Sequence, residues 1–540
     1  MGSAANETLA KTLPAASASL FNTQSLSYII FLSFLVAGMK FWYGSGQKKG
    51  YERLPFPPGP KGIPILGNAL QLPLKAPWIK FKDWAAVHGD VFYLSMMGQH
   101  VVVLNSYESG LDLLHKRGAI YSDRPGMALV RDHGGWKFSI VTEPYGDIFH
   151  LKRRYINQAL NPSGTKKQYN MLNDNMRLFI QSLLQNPSKI QAYNRMYTGA
   201  NIMMMTYGHQ VTGEDDEYIR NADDAMITLE ASGTIGAHPI DMWPILGSLP
   251  FSIWGKKFAD HMVTMKKTTD LVSTLPYDNI KQKFFDGTAV PSMATSLLEE
   301  NLNADKTINN EECINGSLAI VYIAGADTTV ASIDTFIIAM MLNPDVQREA
   351  QETIDELLQG ERLPTWEDRE SLPYVEAILK EVLRWKPVVP GGIPHRSIQD
   401  DEYNGQFIPK GTMMIFNVLA MMYNPKEFPD DPEGFNPRRF LKSDGGKYDL
   451  RTDVRDPADI AFGFGRRVCP GRHFADAWLW LSIATLLATF EISLELDAAG
   501  NPILPDLEYE VGLVSHPKPY KCLLKPRSQM ASLLASEFNH

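Results

Sequence analysis

The ten residues Phe462–Gly471, FGFGRRVCPG, constrain this chain more than any other stretch of it. Three glycines, two adjacent arginines and one of only three cysteines fall within them. Glycine tolerates the backbone of tight turns at little cost, so the segment is expected to fold back on itself sharply. Pro470 stands ahead of an apolar run from about Phe474 to Phe490 that reads as a helix, which puts Cys469 at a helix N-terminus. The positive end of a helix and the nearby cations of Arg466 and Arg467 favour thiolate over thiol. Cys469 is then either an inert buried thiol beside a turn or a ligand held still for a metal. Structural zinc is a poor match, because it usually takes four clustered Cys or His ligands and only His473 is near in sequence.

Composition bounds the fold and the partners. With 540 residues, 44% hydrophobic and 21% charged, the chain has ordinary globular composition and length for one large core or two packed lobes. A net charge of −9 argues against the whole chain binding nucleic acid. Cys313, Cys469 and Cys522 lie far apart and form no CxxC pair, so a disulfide framework is not expected and a reducing compartment is.

The N-terminus differs from the rest. Residues 26–39 are a 14-residue apolar run broken only by Ser27, Ser33 and Gly38, and Lys40, Phe41, Trp42 and Tyr43 follow. A full membrane span takes about 20 residues. Residues 26–43 supply 18 if Lys40 extends its ammonium to the interface and the aromatics form a belt there. A cleaved signal peptide has an apolar region of similar length. Only Lys11 precedes the run, however, while Lys48, Lys49, Arg53 and Lys61 follow it, an asymmetry that keeps the following side cytosolic. The expected organisation is a short lumenal segment 1–25 carrying an Asn6-Glu7-Thr8 glycosylation sequon, a transmembrane anchor 26–43, a proline-rich hinge 44–68 and a globular domain 69–540. The hinge includes PFPPGPKGIPILGN, residues 55–68, whose clustered prolines favour stiff extended chain over helix.

Beyond the hinge no linker, repeat or low-complexity tract is evident. Helical patterns dominate, and strand-like stretches such as Val91–Leu94 and His100–Leu104 are short, so the expected class is mostly α with small β-sheets. The longest helix is expected from about Glu311 to Met341, with Ile314, Leu318, Val321 and Tyr322 on one face and Ile333, Phe336, Ile337 and Met340 further along. AGADTT, Ala324–Thr329, lies in its middle. Gly325 there costs about 1 kcal/mol relative to alanine. An acid and hydroxyls beside it oppose helix propensity, and such conflicts tend to mark functional sites. One reading is a widened turn where a small ligand meets a proton donor. The other is a helix crossing, with Gly325 for close packing and the threonines bonding back to carbonyls. A second helix is expected over Pro373–Trp385, where Glu381 and Arg384 share a face. Taken alone, that pair reads as solvated and worth roughly 0.3–0.5 kcal/mol.

A thiolate without companion ligands suits the single axial bond to a haem iron. Here the chain resembles the cytochrome P-450 family of haem-thiolate monooxygenases, in its membrane-anchored microsomal form. The family's F-x-x-G-x-R-x-C-x-G is met in full by Phe462, Gly465, Arg467, Cys469 and Gly471. Its A/G-G-x-D/E-T-T/S is Ala324–Thr329, its E-x-x-R is Glu381 and Arg384, and its P-x-R-F is Pro437, Arg439 and Phe440. The proline hinge near Pro57 and IPKGT, Ile408–Thr412, match as well, in the family's order from about residue 26 to 525.

The resemblance implies a P-450 fold with haem b between the long central helix and the cysteine loop. Cys469 would be the axial metal ligand, with Phe462 in the same cofactor-binding loop. Arg467, Arg153 and His395 of IPHR would pair with the haem propionates. Glu381, Arg384 and Arg439 would form a buried ion-pair network beneath the haem, which reverses the solvated reading. Asp327 and Thr328 would supply protons to the chemistry. The family's W-x-x-x-R reads Phe149-x-x-x-Arg153, and phenylalanine lacks the indole N–H, so one propionate contact is lost. Arg438 replaces the glutamate common in the family's P-E-R-F.

The implied reaction inserts one atom of O2 into a substrate C–H bond, with NADPH-derived electrons arriving through a separate NADPH-cytochrome reductase. The expected location is the endoplasmic reticulum membrane, single-pass, with the catalytic domain cytosolic. Candidate substrate walls are residues 124–145, 222–254, 321–327, 388–393 and 512–515, with Met204, Met226, Ile235 and Trp243 in or near the second. They are largely apolar and imply a lipophilic small molecule. The stretch 384–412 is similar to fungal secondary-metabolism members, which points to a terpenoid or polyketide-type substrate. Two other classes are a haem-thiolate isomerase or dehydratase and a non-catalytic haem-binding protein. The former often loses the acid–hydroxyl pair that Asp327 and Thr328 form, and turnover that consumes NADPH and O2 separates it from a monooxygenase. Only NADPH-driven product formation excludes the carrier.

Overall fold

The computed structural model describes residues 54–73, 75–232, 238–444 and 447–527. The expected lumenal segment with Asn6, the anchor 26–43, hinge residues 44–53 and Ile235 lie outside the described residues. The chain forms two compact units, each assembled from three stretches. The first takes Met1–Gly146, Asn221–Ser273 and Gly391–Ala420, and the second takes Asp147–Arg220, Thr274–Pro390 and Met421–His540. Because the chain passes repeatedly from one to the other, no single linker separates them, and composition along 69–540 marks no boundary.

The first unit holds a four-stranded sheet. A helix, Pro77–His88 (α1), precedes strands Val91–Met96 (β1) and Gln99–Leu104 (β2), which form an antiparallel hairpin with Val91 opposite Leu104. Met97 and Gly98 turn it with φ of 49° and 82°, the left-handed pair that suits a two-residue hairpin loop. Both strands extend the expected stretches to meet at this turn. His395–Arg396 (β3) pairs antiparallel with Met413–Phe416 (β4), and β4 runs parallel to β2. Phe81 of α1 joins Phe92, Leu94, Val101, Val103 and Met413 in a buried core. The proline-rich segment is docked on this sheet from Pro55 onward. Tyr93 N–H donates to the Pro58 carbonyl at 2.8 Å, and a Cβ at Gly59 would stand 2.0 Å from the Tyr93 carbonyl oxygen.

The second unit is helical. Its site-forming helices are Asp147–Leu160 (α2), Ile190–Tyr207 (α3), Glu311–Leu342 (α4), Pro344–Leu358 (α5), Pro373–Trp385 (α6) and Arg472–Thr489 (α7). Helices α2, α3 and α7 all pack on α4. The apolar positions expected on α4 are buried, and so are Ala319, Ile323, Val330 and Ile338 on its other sides. A helix apolar all round belongs inside a protein core. Its length and hydropathy alone would also allow a membrane crossing, yet it lies mostly buried within this unit. Helix α6 has the bounds expected from sequence, and α7 begins at Arg472, immediately after Gly471.

Candidate functional site

The turn expected at FGFGRRVCPG is present. Gly463 and Gly465 have φ of 76° and 58°, where a side chain is strained. Cys469 N–H donates to the Phe462 carbonyl at 2.8 Å and closes the loop. Gly471 has an ordinary φ of −84°, and a Cβ there would sit 3.8 Å from the Cys469 sulfur. The Arg472 guanidinium donates to the Cys469 carbonyl at 3.3 Å.

Cys469 is half-buried as a residue, but its sulfur is shielded enough that burial is the largest influence on it and pushes the thiol up. The expectation of an acidic thiol is therefore corrected for the protein alone. The opposing contributions come from the backbone N–H groups of Gly471 and Arg472 and the cations of Arg153 and Arg472. Arg466, expected to help, is exposed. A coordinating metal reverses this balance, because a bound thiol is held as thiolate.

Helix α2 contributes the next layer. Phe149 is buried, and the Arg467 guanidinium lies 3.9 Å from its ring centroid, a cation–π stack. Phenylalanine in place of an N–H donor thus orients Arg467 through its ring face. Arg153, one turn on, is desolvated, which lowers its pKa. Among the described residues it makes no hydrogen bond or ion pair. Phe462, Arg467, Cys469 and Arg153 come together in the second unit. His395 belongs to the first, buried in β3, where its Nδ1 faces the Tyr121 carbonyl at 2.8 Å.

Glu381, Arg384 and Arg439 do form a buried network, and the solvated reading of E-x-x-R is corrected. Glu381 and Arg384 are 0% exposed. Arg384 Nε and Nη2 each donate to Glu381 at 2.7 Å, and Arg439 Nε reaches the same carboxylate at 3.2 Å. Asn436 N–H donates to Glu381 Oε1 at 2.7 Å, and carbonyls of Met422, Pro432 and Gly434 take the remaining Arg384 protons. Arg438, in the position where glutamate is common, pairs instead with Glu349 of α5, which also accepts from the Tyr374 hydroxyl at 2.8 Å. Phe149 and Glu349 were not evident from sequence as partners.

On α4 the helix runs without interruption through AGADTT, so the widened turn is not found. A Cβ on Gly325 would meet Ile202 Cδ1 of α3 at 2.6 Å, and Thr328 Oγ1 donates back to the Ala324 carbonyl at 2.8 Å. Close packing and back-bonding therefore explain Gly325 and that hydrogen bond. They do not explain Asp327, which is 7% exposed and places Oδ1 3.0 Å from His516 Nε2. Ala324, Gly325, Ala326 and Thr328 also remain accessible on a helix otherwise buried along this length.

The cytochrome P450 family model matches residues 57–524. A cytochrome P450 monooxygenase of Armillaria gallica is 37% identical over 96% of this chain and 99% of its own length. One from Postia placenta is 36% identical over 94% of this chain and 95% of its own, and one from Ampulloclitocybe clavipes is 36% identical over 89% and 88%. The chain belongs to the cytochrome P450 family. Membership makes this P450 an oxidoreductase of a monooxygenase family and implies haem, O2, a substrate and a redox partner. The mostly helical structure with small sheets is that of the family.

One further buried acid of this P450 titrates unusually. Asp334, one helical face with Asp327, accepts from the Tyr520 hydroxyl and Asn194 Nδ2, each at 2.9 Å. Burial pushes its carboxyl up to about 6, opposed by these bonds and by the charges of His516 and Arg195. A carboxyl raised above its ordinary value of about 3.9 contributes its full stability below that value and loses it as pH rises through about 6. The loss is about 2–3 kcal/mol. Urea midpoints compared between pH 4 and pH 7 should fall less in Asp334→Asn than in wild type, and equal falls would refute the assignment.

Proposed function

We propose that this P450 is an NADPH- and O2-dependent monooxygenase of the endoplasmic reticulum membrane that hydroxylates a lipophilic secondary metabolite of terpenoid or polyketide type. The observation that carries this reading is the Cys469 sulfur, fixed by a two-glycine turn with the N–H groups of Gly471 and Arg472 directed at it. Haem b fits these residues. Cys469 would hold its iron through the sulfur. Arg153, desolvated and in no ion pair with a carboxylate among the described residues, suits a propionate. Arg467, held on the Phe149 ring, would serve the same groups, and Phe462 would hold the loop closed. When bound, haem supplies the redox-active iron at which O2 is activated.

The chain's own part is to place substrate and deliver protons. Thr328 stands on the accessible stretch of α4, where its hydroxyl can hold a water beside the reacting oxygen once it releases the Ala324 carbonyl. Asp327, one residue away, would relay protons to it. General-acid assistance of this kind is typically worth about 10²–10⁴-fold. Thr328→Ala is expected to keep haem and CO binding and to keep consuming NADPH, but to lose reducing equivalents as hydrogen peroxide. Asp327→Asn should slow turnover more than it changes the peroxide fraction. The ratio of product to NADPH decides, and wild-type coupling in Thr328→Ala would leave only the packing role for AGADTT.

Met226 and Trp243 of the expected walls are buried, in keeping with a lipophilic ligand. Untargeted product profiling of cells co-expressing this chain and an NADPH-cytochrome reductase tests the substrate class, and turnover without NADPH would refute the monooxygenase reading. The full chain should stay in the membrane pellet in high salt, and deleting residues 1–44 should release much of it with its CO spectrum intact. A processed chain beginning near Met39 and secreted from the cell would refute the anchor.

A further inference from the structure

We propose that His516 is a positioning residue that returns protons from solvent to Asp327. The inference rests on the acid role given to Asp327 above and extends it to a residue outside every motif of the family noted here. The two oxygens of the Asp327 carboxyl are unlike. Oδ1 stands 3.0 Å from His516 Nε2, whereas Oδ2 is buried and has no hydrogen-bond partner among the described residues. The Asp327 side chain has about a tenth of its surface left for exchange with water. The imidazole lends it both a partner and a route.

His516 can serve because its own place is fixed. It lies in the C-terminal segment that α4 holds by the Tyr520–Asp334 bond at 2.9 Å and the Tyr509–Thr335 bond at 3.0 Å. Its N- and C-terminal neighbours in the chain are thus tied to the helix that carries Asp327, and Glu510 N–H donates to the His516 carbonyl at 2.7 Å. Its side chain keeps 17% of its surface exposed, against 10% for that of Asp327. An imidazole ordinarily gains and loses a proton near neutrality.

The transfer balances without any redox change. The proton on Asp327 Oδ2 leaves toward the acceptor at the accessible stretch of α4. The His516 imidazolium passes its Nε2 proton to Oδ1 and is left as the neutral ring. The ring recovers a proton from water, and the carboxyl returns to its starting form with its two oxygens exchanged by rotation about Cβ–Cγ. A purely structural histidine needs only the N–H···O bond and none of these transfers.

The test uses the full-length holoenzyme in membranes with its reductase and no added substrate, following NADPH oxidation in H2O and D2O. His516→Phe and His516→Gln should each slow oxidation roughly 10²-fold and enlarge the solvent isotope effect. Asp327→Asn should do the same, and the double variant should be no slower than either single one. Glutamine keeps a hydrogen bond to Oδ1 but cannot exchange protons, so its agreement with phenylalanine separates transfer from mere positioning. His516→Lys, which restores an exchangeable cation, should recover part of the rate. Independently of turnover, the reduced CO spectrum of each variant should be intact, and the thermal midpoints of His516→Phe, Asp327→Asn and the double variant should be non-additive, as expected for a pair in contact. A wild-type rate and isotope effect in His516→Gln, with Asp327→Asn still slow, overturns this inference alone. A wild-type rate in Asp327→Asn overturns the acid role beneath it as well. Additive midpoints would remove the contact.

Discussion

Cys469→Ala is expected to abolish the thiolate-type CO spectrum and every trace of NADPH-driven product, whereas Cys313→Ala and Cys522→Ala keep both. Only Cys469 combines a sulfur facing backbone N–H groups, two arginines nearby and a loop whose shape its own N–H closes. Cys313 lies in the first turn of α4, where its carbonyl accepts from Ser317. Cys522 opens a C-terminal strand, and burial, with Asp334 and Glu495, pushes its thiol up to about 12, far from the thiolate that a metal takes. The loop closure uses the Cys469 backbone, so the alanine variant should still fold. A thiolate spectrum surviving in it would sink the ligand assignment, while loss of the spectrum with normal thermal stability would support it.

Glu381→Ala should destabilise the fold strongly. It leaves the guanidinium groups of Arg384 and Arg439 buried without their shared carboxylate. Removing one partner of a buried ion pair costs about 3–5 kcal/mol. Whole domains are stable by only about 5–15 kcal/mol. Backbone carbonyls of Met422, Pro432 and Gly434 on Arg384, and of Pro429 and Asp431 on Arg439, satisfy hydrogen bonds but carry no net charge to offset the two cations. Glu381→Gln should fall between, since it keeps an acceptor for Asn436 N–H. Soluble yield and thermal midpoint are the measurements, and a wild-type midpoint in Glu381→Ala would show that the carbonyls alone suffice.

Local features were legible in the sequence because their causes are local. Pro373 and the apolar spacing after it delimit α6, and Gly463 and Gly465 mark a turn only glycine enters easily. The existence of β1 and β2 and the start of a helix next to Cys469 follow from the same backbone rules, whereas the pairing of the two strands was not read from the sequence. The order of the short motifs was likewise sufficient to identify the family, since each motif is a run of neighbouring residues.

What surrounds each motif was decided only by tertiary packing. E-x-x-R looks the same on a wet helix as on a buried one, and the carbonyls and Arg439 that enclose it come from a distant segment. The cations that act on the sulfur are Arg153 and Arg472, and burial outweighs them, a balance set by how the chain covers the loop. Phe149 beneath Arg467, Ile202 against Gly325 and His516 beside Asp327 are contacts between segments far apart in sequence. Backbone hydrogen-bonding periodicity and turn sterics act over a few residues and are written in neighbouring letters. Desolvation and charge pairing depend on which surfaces the folded chain excludes from water, and no short window of sequence specifies that.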